Sequence, residues 1–207
     1  MVSKTSSILF MFFFLFIAVS CTSIKPKPVI DEGSVQPGTQ VDFRGKPFKL
    51  LGSPLSIGKP LPSVKLLDAM TMNDVDLSQE RGSVLFLSIV ASLDTPVCEE
   101  QTHYLGEQGD KLPKEVRRIV ISRDTPFAQK RFAKEAKLTN LQYLSDYKEG
   151  AFGRATGLLM DGLMLLTRSV IIVDKKGMVQ SVQVVPEITH LPDMERAFQK
   201  ATELTKE

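Results

Sequence analysis

Apolar positions along the chain fall into runs of two kinds. Val84 to Val90 (VLFLSIV) is almost wholly apolar and β-prone, and Arg118 to Ser122 (RIVIS) repeats the pattern in shorter form. Unbroken runs of this length belong to strands buried on both faces of a sheet. Ser169 to Val173 and Val179 to Val185 read as two further strands, joined through Asp174-Lys175-Lys176-Gly177, a turn that ends in glycine. Helical spacing occupies the intervals. A helix is predicted from Pro96 through Leu105, a second over Pro126 to Ala136 and a short one over Ala151 to Thr156, with Leu141 to Leu144 as a short strand. In the last segment Pro192 and Asp193 suit a first helical turn, and Met194, Ala197, Phe198, Ala201 and Leu204 then fall on one face. Upstream, Val41-Asp42-Phe43 and Pro47 to Leu51 flank Arg44-Gly45-Lys46, which predicts a β-hairpin, whereas Leu55 to Leu67, with Pro60 and Pro62, reads as irregular. Strands separated by helices and followed by a closing hairpin and helix give an α/β sandwich, a mixed central sheet flanked by helices, with an N-terminal β-hairpin.

Outside this pattern lie two segments that cannot pack. Lys4 gives a positive start, and an apolar run from Ile8 to Val19 follows, ending in Ala18-Val19-Ser20 before Cys21. At about a dozen residues the run is too short for a transmembrane helix and suits the core of a signal peptide. A short apolar run, small residues and then cysteine resembles the lipobox of bacterial lipoproteins, although Ala18 stands where that pattern more often has leucine. The resemblance implies that residues 1–20 are removed, that Cys21 carries lipid, and that the protein is anchored in the bacterial cell envelope on the periplasmic or extracytoplasmic side. An ordinary secretory signal cleaved near Ser20 is the alternative. Residues 21–40 are rich in turn formers and poor in large apolar residues, so they read as a flexible tether that stretches to at most roughly 70 Å. Residues 41–207 are left as one domain.

Composition narrows the function. In 207 residues the charged fraction is 24 % and the net charge +2, with no basic run interleaved with aromatics, so nucleic acid is not a partner. Two cysteines are present, and with Cys21 acylated only Cys98 keeps a thiol. His103 and His190 are the only histidines; His103 lies five residues past Cys98 and points away from it on a helix, so a Cys–His protease fits poorly. Neither a metal-ligand cluster nor a phosphate-loop spacing occurs, and no cofactor is called for.

The informative stretch is Ala91-Ser92-Leu93-Asp94-Thr95-Pro96-Val97-Cys98, which leaves the end of a buried strand and enters a helix. With Thr95 as N-cap and Pro96 first in the helix, Cys98 is the third helical residue. Free backbone N–H groups and the positive end of the helix dipole there favour thiolate, the reactive form of cysteine. Glu99 and Glu100 oppose this, so a cation has to outweigh them. A lone cysteine at a strand end is otherwise a small core hydrophobe. Thr95 as a plain cap and an arginine at a strand end as a plain ion-pair partner are the corresponding structural readings.

Several segments together resemble the thiol peroxidase branch of the peroxiredoxins. Ser92-Leu93-Asp94-Thr95-Pro96-Val97-Cys98, Pro126-Phe127-Ala128-Gln129-Lys130-Arg131-Phe132, Arg168-Ser169-Val170-Ile171-Ile172-Val173-Asp174 and Val185-Pro186-Glu187-Ile188-Thr189 are similar to segments of that family, in its order and at nearly its spacing. The resemblance runs from about Val41 to the C-terminus and implies a thioredoxin-like fold. It further implies that Cys98 attacks the O–O bond of hydrogen peroxide or an organic hydroperoxide, that Thr95 hydrogen-bonds thiolate or peroxide, and that Arg168 stabilises negative charge. The product would be a sulfenic acid. Family members tend to form dimers, so a homodimer is also implied. Two positions depart from the pattern: Ala91 replaces a proline that shields the site, and Ala133 stands where the family carries its resolving cysteine. A one-cysteine peroxidase that relies on an external thiol reductant, either a thioredoxin-like protein or a small thiol, follows from Ala133. A Cys98–Cys98 disulfide across a dimer is a second route. A non-catalytic or redox-sensing lipoprotein of the same fold is the alternative from another class.

Overall fold

The computed structural model describes residues 28–207, so the expectations for residues 1–20 and for Cys21 lie outside the described residues. The chain opens with β1 (Ile30–Asp31), β2 (Gln40–Phe43), β3 (Lys46–Leu51), β4 (Leu66–Asp68) and β5 (Asp74–Val75). An alternating series follows: β6 (Val84–Ile89), α1 (Pro96–Glu107), β7 (Val116–Ser122), α2 (Pro126–Glu135), β8 (Gln142–Ser145) and α3 (Ala151–Thr156). The chain closes with β9 (Leu159–Met160), β10 (Ser169–Val173), β11 (Val179–Val184), β12 (Leu191–Pro192) and α4 (Met194–Thr205).

The central sheet has seven strands in the order β11-β10-β6-β7-β8-β4-β5. β6, β7 and β8 run parallel, while β10 and β11 on one side and β4 and β5 on the other are antiparallel to their neighbours. All residues of β6 and β10 are buried, which is why their apolar runs do not alternate. The face of α4 read from the sequence is the one that is buried. Its Phe198 ring meets Phe86 of β6 edge-on at 5.4 Å and Tyr104 of α1 at 5.7 Å, so α1 and α4 close over the same strand. Burying a phenylalanine of this kind stabilises the fold by about 1.5–3 kcal/mol. The N-terminal hairpin forms as predicted. Phe43 pairs with Lys46, and Arg44 and Gly45 turn the chain at φ 52° and 77°, as a type I′ turn requires.

Three expectations need correction. Part of the stretch read as a tether is docked on the domain: β1 pairs in parallel with β12, Val35 N donates to the Val184 carbonyl and Gly38 N to that of Gly157. Composition reports what a segment can bury alone and is silent on backbone partners far along the chain. Leu66–Asp68 and Asp74–Val75 form a small antiparallel pair at the sheet edge where no strand is read. Pro192 belongs to β12, and the last helix begins one residue beyond its cap, Asp193, whose carboxylate accepts from Arg196 N.

Candidate active site

The sheet order decides what gathers at Cys98. Because β10 is antiparallel to β6, with Ser169 opposite Ile89, the start of β10 lies at the carboxyl end of β6. The chain leaves β6 there, turns through Ala91–Thr95 and enters α1. Arg168, the residue before β10, is thus carried to the first turn of α1, 70 residues away in sequence.

Cys98 occupies the third position of α1, after Thr95 as N-cap and Pro96. Its side chain is 0 % exposed, and it is the only cysteine among the described residues. Nη2 of Arg168 donates to its Sγ at 3.3 Å. The same guanidinium donates through Nη1 to Oε1 of Gln101 (2.7 Å) and the Val97 carbonyl (3.4 Å), and through Nε to the Ile188 carbonyl (2.9 Å). Arg168 is only 3 % exposed. Its acceptors are two carbonyls, an amide oxygen and a sulfur, and no carboxylate is among them. A buried cation without a counter-charge is costly, and of these groups only the thiol can ionise to balance it. The reading of Arg168 as a strand-end ion-pair partner is therefore excluded. Glu99 and Glu100 point to solvent, and Glu99 lies 3.8 Å from His103, so their opposing charges are screened by water.

Gln101 is a site residue that the sequence reading missed. It is fully buried, and while its Oε1 accepts from Arg168 its Nε2 donates to Ser88 Oγ of β6 (2.8 Å). The guanidinium is thereby tied to the sheet. The spacing from Cys98 to Gln101, i to i+3, is the available signal, since it puts both on one helix face. Asp124, in the loop after β7, was also missed. Its carboxylate accepts from Ser92 Oγ (2.7 Å), Leu93 N (2.8 Å) and Ser122 Oγ (2.7 Å), which pins the turn between β6 and α1.

Thr95 differs from expectation. Its hydroxyl is exposed, donates to the Ser92 carbonyl (2.9 Å), and makes no cap bond and no bond to Cys98. That bond uses the hydroxyl hydrogen and leaves the oxygen free to accept from an incoming O–H. The first turn of α1 thus lacks a side-chain cap, and an uncapped helix end opens more readily than one that is capped. Ala133 is 1 % exposed in the body of α2, so its methyl fills core space. His103 is paired with Glu107 and His190 with Asp31, and neither reaches Cys98.

Comparison with known proteins places these residues in context. The redoxin family profile matches residues 56–198. The chain is 39 % identical over 160 residues to a thiol peroxidase of Staphylococcus saprophyticus, covering 77 % of this chain and 96 % of that protein. It is 33 % identical over 167 residues to a thiol peroxidase of Bacillus subtilis, covering 81 % and 99 %. Among solved structures, a peroxiredoxin-like protein from Aquifex aeolicus superposes with a TM-score of 0.75 at 33 % identity, over 80 % of this chain and 97 % of that one. A thiol peroxidase from Chromobacterium violaceum shares the fold, with a TM-score of 0.67 at 20 % identity over 81 % and 98 %. The mixed α/β architecture expected from the element order, and the thioredoxin-like fold that the family resemblance implies, are the ones found.

Proposed function

The chain belongs to the redoxin family, among its thiol peroxidases, and from that premise we propose that it reduces hydrogen peroxide or organic hydroperoxides through Cys98 alone. The observation that carries the assignment to Cys98 is the buried Arg168 guanidinium at 3.3 Å from Sγ, with no carboxylate partner among the described residues.

Opening of the uncapped first turn of α1 admits the peroxide, since Cys98 is covered in the closed form. The peroxide O–H donates to Thr95 Oγ1. The Cys98 thiolate attacks one peroxide oxygen; an S–O bond forms as the O–O bond breaks, and the leaving oxygen departs with the electron pair and takes up a proton as water or alcohol. Negative charge moves from sulfur to that oxygen, and Arg168 donates to both. Cys98 is left as a sulfenic acid. No second cysteine is present among the described residues, so an external thiol attacks the sulfenic sulfur and releases water, and a second external thiol displaces Cys98 from the mixed disulfide. One peroxide and two thiols thus give one alcohol or water, one water and one disulfide. A Cys98–Cys98 bridge is disfavoured because two buried sulfurs would have to open and meet at once, whereas an external thiol needs only one to open. A purely non-catalytic module is disfavoured too, because such a fold has no need of a buried guanidinium on its thiol.

Cys98→Ser is expected to abolish thiol-dependent consumption of hydrogen peroxide in a coupled assay. Turnover that persists in this variant would remove the proposal.

The same proposal places the chain on an envelope membrane through lipid on Cys21, supported by the signal-like run that precedes it; a homodimer is proposed only on the resemblance to a family whose members tend to form dimers. Cys21→Ser is expected to move the protein from the detergent phase to the aqueous phase in a partition assay. Detergent partitioning that is unchanged in this variant would refute the anchor.

A further inference from the structure

Residues 29–35 lie outside the part of the chain matched by the redoxin profile, yet they are bonded to the loop that holds Arg168. At one end of that loop, Val35 N donates to the Val184 carbonyl (3.0 Å) and Val184 N to Ser34 Oγ (3.0 Å). At the other end, Leu191 N donates to the Val29 carbonyl (2.7 Å), β1 pairs with β12, and Asp31 Oδ2 lies 3.3 Å from His190 Nδ1. Gln183 Nε2 completes the seam by donating to the carbonyls of Asp31 (2.7 Å) and Gly33 (3.1 Å). Between the two grips run residues 185–189. Within them the Ile188 carbonyl accepts from Arg168 Nε at 2.9 Å, and Val185 N donates to the Arg168 carbonyl at 3.0 Å.

We propose that residues 29–35 are a brace that positions Arg168, so that their docking sets the reactivity of Cys98. The middle of the loop is already held by β2, since Asp42 N donates to the Pro186 carbonyl and Ile188 N to that of Asp42. The first end of the loop is also set by β11, where Val184 lies opposite Ser169, so without the brace its far end at His190 and Leu191 can pivot, and the brace fixes that end while adding a second grip at Val184. The Nε–carbonyl bond and the Nη2–sulfur contact belong to one planar guanidinium, so a turn of the Ile188 carbonyl rotates that plane and withdraws Nη2 from Sγ.

This inference rests on Cys98 and Arg168 being the peroxide site. In the full chain, Asp31→Pro removes the carboxylate and a main-chain donor of the paired strand. Its effect is measured alone and together with Arg168→Ala, as a double-mutant cycle on the rates of Cys98 with hydrogen peroxide and with iodoacetamide. The expected result is a fall of about tenfold with Arg168 in place and of less than about twofold in the Arg168→Ala background, the pattern of two residues acting as one unit. Equal falls in both backgrounds, or no fall in either, overturn the brace. Should Asp31→Pro lack the thermal unfolding transition of the parent, Asp31→Ala, which keeps the main-chain donor, takes its place and is judged by the same outcomes. If the unaltered chain consumes no peroxide, the peroxidase reading fails by itself, and the cycle run on alkylation still decides the brace.

Discussion

Two helix starts in this molecule are built alike and serve different ends. β6 and β7 are parallel neighbours, and each runs out at the same edge of the sheet into a threonine-proline step: Thr95-Pro96 opens α1, and Thr125-Pro126 opens α2. Each threonine carbonyl accepts the first helical bond, from Glu99 N at 2.9 Å and from Gln129 N at 3.0 Å. At α2 the threonine hydroxyl caps the helix by accepting from Ala128 N (3.3 Å), whereas at α1 it is turned back to the Ser92 carbonyl and caps nothing. The third helical residue is Ala128 in one case and Cys98 in the other. Only α1 faces an arginine, because β10, which delivers Arg168, pairs with β6, while the other neighbour of β7 is β8. The dipole is present at both starts, and the cap at α2 occupies only one N–H, so the backbone alone sets them little apart. Strand order distinguishes them, by deciding which one receives a cation.

The strongest way to break this comparison is to move the thiol. In a Cys98→Ser background, Ala128→Cys places a cysteine at the same helical position without the guanidinium. It is expected to react with hydrogen peroxide at least about 10²-fold more slowly than Cys98, the effect of removing one donor aimed at developing charge. Stopped-flow measurement of the two thiols decides the matter. Comparable rates would mean that a helix start suffices, and Arg168 would lose its place in the mechanism.

A second contrast sharpens the roles of the two threonines. Thr125→Ala removes a working cap and is expected to cost about 1 kcal/mol of stability while leaving the peroxide rate within about a factor of two. Thr95→Ala removes no cap bond, and if its oxygen accepts from the peroxide as proposed, the variant is expected to lower the peroxide rate about tenfold, the value of roughly one hydrogen bond. Urea unfolding and peroxide kinetics on both variants give four numbers. A Thr95→Ala variant of undiminished rate would assign that hydroxyl to loop geometry alone.

These contrasts also show what the residues reveal before any folding. β6, β7 and β10 are legible because strands covered on both faces must be apolar throughout, and α4 is legible because its buried face repeats at helical spacing. β4 and β5 are not: they have three and two residues, and Met72 bends the turn between them at φ 60° without a glycine to mark it. β1 is hidden for another reason, since its bonds are made with residues about 150 positions away and its composition is that of a linker. At the site, Cys98 is marked by its place after a buried strand, and Arg168 by a segment similar to one in known peroxidases. Gln101 and Asp124 carry no such mark, because an amide or a carboxylate becomes a support only once the loops have met. The rotation of the Thr95 hydroxyl toward Ser92 depends on a turn that Asp124 holds, and no local pattern encodes it.

A third helix start tests the comparison from the side of charge. After β8, the carboxylate of Asp146 accepts from Phe152 N and Gly153 N, both at 3.0 Å, in the first turn of α3. The nearby Arg123 gives its hydrogen bonds to main-chain carbonyls, that of Asp146 itself included, and none to the carboxylate. Burial pushes this carboxyl above its ordinary value of 3.8, and the N–H donors and the charge of Arg123 only partly offset that. An acid raised on folding contributes stability that is full below the unfolded value and is lost as pH rises through the folded one. The stability of the parent relative to Asp146→Asn should therefore fall as pH rises from near 3.8 toward neutrality, a smaller effect than those above, readable in unfolding curves at a series of pH values. A difference that does not vary with pH would show that backbone donors at a helix start can hold a buried charge without a guanidinium touching it, and the weight placed on Arg168 beside Cys98 would have to be reduced accordingly.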